Sequence, residues 1–78
     1  MKLHGHNRSG RVAAEWNYDS FFGCVDWHIR ATGELADWGQ IPCRPENAER
    51  VATRAIGRAL FRLCRDAVRA CCKLGGER

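Results

Sequence analysis

Seventy-eight residues, 45% of them hydrophobic and 28% charged, carry a net charge of +4. A chain of this length buries only about 60–65% of the surface that its unfolded form exposes, so one modest core is all it can build. Large catalytic architectures are excluded, no apolar run approaches the ~20 residues of a membrane span, and a compact binding module is the natural class.

The charge is unevenly placed. Residues 1–44 balance five basic groups against five acidic ones, whereas residues 45–78 carry eight basic and four acidic groups. Such asymmetry points to nucleic acid, an acidic protein or an anionic surface as partner. Eleven of the thirteen cations are arginine. Arginine suits bidentate contact with phosphate and carboxylate, although a high-GC genome produces the same bias.

In chain order, residues 1–10 show no periodicity and end in turn formers; a flexible arm is expected, with room for a short edge strand at Lys2–His4. From Arg11 the period is two. Val12, Ala14, Trp16 and Tyr18 alternate with Arg11, Ala13, Glu15 and Asn17, the pattern of a half-buried strand. Asp19-Ser20 supplies a turn. In the next run, Val25, Trp27, Ile29 and Ala31 alternate with Cys24, Asp26, His28 and Arg30. Thr32-Gly33-Glu34 reads as a tight hairpin turn, with Gly33 free to take positive φ. A weaker third strand follows through Leu35–Trp38, and Gly39 and Pro42 are expected to end it.

The period then becomes 3.6. Pro45 suits a first helical position, and Glu46 and Glu49 complement the positive end of the helix dipole. The apolar face collects Ala52, Ile56, Ala59, Leu60, Leu63, Ala67, Ala70, Cys71 and Leu74, and Gly75-Gly76 closes the helix. Unbroken from Pro45 to Lys73, such a helix would be roughly 43 Å long, against about 20–25 Å for the sheet. Either Gly57 breaks it, or one end projects onto a partner. The expected fold class is α+β: a three-stranded antiparallel β-meander (11–42) followed by one long C-terminal amphipathic helix (45–74) packed on the sheet.

Opposite the apolar face, Arg50, Arg54, Arg58, Arg62, Arg65, Arg69 and Lys73 follow one another at spacings of 4, 4, 4, 3, 4 and 4. They cover an arc of roughly 140°. Like charges at these spacings destabilise an isolated helix, so the stripe reads as a surface awaiting something negative rather than as a plainly solvated face. Phe61 falls among these arginines, where a large apolar group has no folding role, and resembles an interface anchor with a charged rim. Trp16, Tyr18 and Trp27 share a face with Val12, Val25 and Ile29 and are read as core.

Five cysteines, an odd number, with no apolar leader ahead of them, read as reduced thiols in a cytosolic protein. Cys64 and Cys71 are placed on the buried side of the helix, and Cys72 towards its outer face. His4, His6, His28, Cys24 and Cys43 lack the spacing of a metal site, so no metal and no cofactor is expected. Asp26 and His28 could form an acid–base couple, yet nothing in the pattern would exclude water around them. An enzyme is not expected.

The size, the retained Met1, the meander ending in an Ala/Arg-rich helix and the lack of catalytic motifs resemble small phage and mobile-element proteins. Among these, the chain resembles the anti-CRISPR inhibitors of multi-subunit surveillance complexes. The resemblance is one of architecture and carries over no residue; many such inhibitors are acidic DNA mimics, and this chain departs from them in its basic helix. It implies a phage-encoded, non-enzymatic inhibitor in the cytoplasm of the host bacterium; the face expected to dock on an acidic or nucleoprotein host complex is then the basic stripe read above, Arg50, Arg54, Arg58, Phe61, Arg62, Arg65, Arg69 and Lys73. The chain is also similar in β-β-β-α order to the DNA-binding modules of phage integrases, in which the sheet enters the groove. The alternatives are therefore a small DNA- or RNA-binding module that contacts the phosphate backbone, and a domain that forms a homodimer through its long helix.

Overall fold

The computed structural model describes residues 1–75, with side chains through Ala67. Four strands, β1 (His4–Ser9), β2 (Val12–Asp19), β3 (Cys24–Ala31) and β4 (Glu34–Pro42), form one antiparallel sheet in chain order. A 3-10 turn at Pro45–Asn47 leads into a single helix, α1 (Ala48–Gly75). The fold is α+β, with four strands in place of the expected three.

The additional strand corrects the reading of residues 1–10 as an arm. His4–Ser9 has no apolar alternation because it is an edge strand held by its ladder, His4 facing Asn17 through to Ser9 facing Val12. Tyr18 donates its N–H to the carbonyl of Leu3 at 2.7 Å, one residue before the strand. β4 likewise runs to Pro42 and is not ended by Gly39. A bulge falls at Ala36, since Ile29 faces Asp37 but Arg30 faces Leu35.

One row explains both glycines. Gly5, Trp16, Trp27 and Gly39 lie opposite one another across the four strands. A Cβ at Gly5 would collide with the Trp16 Nε1, and one at Gly39 would fall 2.8 Å from the Trp27 ring. Each indole therefore lies over the glycine of the neighbouring edge strand, and only glycine leaves that space. Such indole-on-glycine packing pins register where an edge strand has few apolar side chains of its own.

At the β3–β4 turn both Thr32 (φ 53°) and Gly33 (φ 84°) are left-handed. That is the two-residue hairpin geometry whose twist matches the flanking strands. Thr32 is β-branched, and for such a residue a positive φ is strained.

The core lies between the β2–β3 centre and the first half of α1. Val25 and Ile29 are fully buried, with Ala14, Trp16 and Trp27 nearly so. From the helix, Ala48, Ala52, Ala55 and Ala59 face them at spacings of 4, 3 and 4, all buried. These side chains are small enough for the helix backbone to sit close over the two indoles. The indole N–H of Trp27 is buried without an acceptor among the described residues, a cost of about 1–3 kcal/mol in such positions.

The helix is continuous through Gly57. A mid-helix glycine costs about 1 kcal/mol against alanine, less than losing the register that puts Ala55 and Ala59 on the same face. Twenty-eight residues at 1.5 Å make α1 about 42 Å long, and the molecule measures 53 × 20 × 16 Å. Of the two outcomes left open by the length mismatch, the molecule adopts a projecting helix end.

Candidate functional site

The sheet does not meet α1 at the middle of its apolar arc. The buried alanines form one edge of that arc, so Ile56 and Leu63 are only half-buried, while Leu60, Cys64 and Ala67 are exposed. Cys64 thus departs from the expected buried position, because the sheet no longer covers that side of the helix. The side chain of Cys71 lies outside the described residues. The uncovered apolar side opens onto a groove of ≈ 800 Å³ between α1 and the β1–β2 pair, with Val12, Ala14 and Trp16 on one wall.

This rotation brings the basic flank of the helix down beside β4. Arg50, Arg54, Arg58, Arg62 and Arg65 are all exposed, and Phe61 between them is 69% exposed. The side chains of Arg69 and Lys73 lie outside the described residues. Arg62 Nη2 donates to Asp37 Oδ2 at 3.1 Å, an exposed pair worth at most about 1 kcal/mol. Arg65 Nε stands 3.8 Å from Asp66 Oδ1. Arg50, Arg54 and Arg58 have no acidic partner among the described residues; Glu49, on the same turn as Arg50, pairs with Lys2 at 3.3 Å.

These three arginines surround an open cleft of ≈ 250 Å³ whose floor is Ile41, Val51 and Ala55. An apolar floor ringed by guanidinium groups suits a partly apolar ligand surface bearing carboxylates or phosphates, since arginine makes planar, two-point contacts with both. The sequence placed the arginines but not the cleft. Ile41 sits on an edge strand, and only the tertiary arrangement sets it beside Val51. Asp37 as the partner of Arg62 was equally invisible, because a bulge determines where it points.

The other candidate groups do not assemble into a chemical site. On the face of the sheet away from α1, His6, Glu15, His28 and Trp38 form a cross-strand row, with His28 Nε2 3.9 Å from Glu15 Oε2. Asp26 faces Asn17 and Gln40 and accepts the Cys24 thiol at 3.8 Å. It does not pair with His28. No group of three or more His, Cys, Asp or Glu among the described residues could hold a metal ion, and no helix there is long and apolar enough to cross a membrane. The β2–β3 turn exposes Phe21 and Phe22, stacked edge to face at 4.8 Å above Asp19, whose Oδ1 accepts both their N–H groups.

Burial pushes the Cys24 thiol above its ordinary value, with the nearby Asp26 carboxylate adding to the shift. Burial likewise raises the Tyr18 phenol, which donates to the Cys43 carbonyl at 3.2 Å. Both groups stay neutral and serve the core.

No protein-family model matches this chain, and comparison with curated proteins and with solved structures returned no match.

Proposed function

We propose that this chain is a non-enzymatic binding protein that docks the basic flank of α1 on an acidic surface of a host nucleoprotein complex, as a phage-encoded inhibitor of the anti-CRISPR type would. The observation that carries this reading is the cleft beside β4: three arginines without an acidic partner among the described residues, Arg50, Arg54 and Arg58, ring an apolar floor, and exposed Phe61 stands on the next turns. An exposed aromatic within a ring of arginines has the composition of an interface hot spot. The charge supplies steering, and the aromatic and the cleft supply burial.

Direct binding of nucleic acid is the second reading, favoured by the same three arginines, which could neutralise phosphates. The integrase mode, with the sheet in the groove, is poorly supported. Arg8 and Arg30 on the outer sheet face are interleaved with Glu15 and Asp26, which would meet phosphates as like charges.

The test is capture of partners from a bacterial lysate with and without nuclease, using the wild-type chain and an Arg54→Glu/Arg58→Glu variant. A protein complex retained after nuclease and lost with the variant supports docking on a protein surface. Retention that disappears with nuclease, together with a steep fall of log affinity with log salt on isolated duplex or single strand, supports the second reading. Equal capture by both chains would overturn both.

A further inference from the structure

We propose that the groove beside α1 receives the projecting end of the same helix from a second copy of the chain, the two helices lying antiparallel about a two-fold axis near Arg65. This surface is separate from the basic flank and stands or falls independently of it.

The first argument is period. Ile56, Leu60, Leu63 and Ala67 on the groove side are spaced 4, 3 and 4, and the sequence continues with Ala70 and Leu74 at 3 and 4. An alternating 3–4 spacing is the seam of one helix against another, so the occupant is a helix, not an extended peptide. The arginines and Phe61 fall outside that seam and would stay in water in the assembly.

The second argument is length. From Leu63 to Gly75 the helix runs about 18 Å, and the groove follows α1 from Thr53 to Ala67 for about 21 Å at the same rise per residue. The projecting end of one copy therefore matches the groove of the other. Orientation follows from bulk: the first half of α1 carries its own sheet and cannot enter a groove, whereas Leu60, Cys64 and Ala67 further along are exposed. Only an antiparallel pair sets that later part of each helix against the open groove of the other.

The third argument is fit. An axis near position 65 sets Leu60 opposite Ala70 of the second copy and Leu63 opposite its Ala67. In these two pairs, though not in the third, Ile56 with Leu74, a large side chain faces a small one, the arrangement that lets two helix surfaces interlock. Lys2 lines the groove near the start of α1, where it also pairs with Glu49. The arriving helix terminus brings there the partial negative charge of its carbonyls.

Sedimentation equilibrium under reducing conditions across the micromolar range tests this. The wild type should rise with concentration to twice its 8.8 kDa mass; a monomer throughout overturns the proposal. Leu60→Glu and Ala67→Glu, both at exposed positions and so compatible with folding, should each give a monomer of unchanged helical circular dichroism, and association as in wild type would overturn it. Phe61→Ala should leave the dimer intact, which separates this surface from the docking flank.

Discussion

The two halves of α1 share one amphipathic pattern and have different fates. Along Ala48–Ala59 the helix meets the sheet through four alanines, and the large side chains of that interface come from the strands: Trp16, Trp27, Val25 and Ile29. From Leu60 to Ala67 the helix brings its own large side chains, and the sheet leaves Leu60 exposed and Leu63 only half-buried. Small residues mark where the helix is committed to its own fold, and leucines mark where it remains available. A hydrophobic face is thus a statement that something covers it, without saying what.

The largest effect that separates the halves is core truncation. Ile29→Ala should cost about 3–4 kcal/mol, as for other fully buried aliphatics, whereas Leu60→Ala should cost less than about 1 kcal/mol because that side chain is already partly in water. Urea denaturation at submicromolar chain concentration, where association does not contribute, checks both. Equal costs would mean that the sheet covers the second half after all.

Enlargement sharpens the same contrast. Ala59→Leu must force the helix off the indoles and should cost about 1–3 kcal/mol; Ala67→Leu, with open space around it, should leave monomer stability unchanged within about 0.5 kcal/mol. A smaller pair uses one substitution with opposite signs. Gly39→Ala drives a Cβ to 2.8 Å from the Trp27 ring, which the overlying alanines hold in place, and should destabilise by about 1 kcal/mol or more. Gly57→Ala meets nothing within 4 Å and should stabilise by about 0.5–1 kcal/mol. Thermal melts of the two variants beside wild type read the sign directly.

The subtlest effect is alkaline. Cys24 and Tyr18 release their protons at higher pH in the folded chain than the ordinary 9.0 and 10.0. The unfolded chain deprotonates first, so this contribution is fully present below those values and is lost as pH rises through them. Denaturation midpoints should therefore fall above about pH 9, and Cys24→Ala with Tyr18→Phe should flatten the decline. An unchanged slope in that double variant would place the loss elsewhere.

Much of this was legible beforehand. The alternation of Val12–Tyr18 and of Val25–Ala31 gave two strands with the correct inward faces, because half-buried strands write burial into a period of two. The helix, its start near Pro45 and the exposure of Phe61 were legible for the same kind of reason. His4–Ser9 was not, since an edge strand is held by backbone hydrogen bonds and by an indole borrowed from its neighbour, neither of which leaves an apolar pattern. Gly39 misled because glycine signals a strand end in isolation and a close approach in context.

By itself, then, the sequence determined the local periods, the side of the helix that carries charge, and the concentration of that charge in the last third of the chain. Those follow from side-chain chemistry repeated at fixed spacing. Only the tertiary structure decided which edge of the apolar arc the sheet would claim. The alanines allow close approach and the leucines do not, and that choice leaves one flank of α1 as a basic cleft and the other as an open apolar groove.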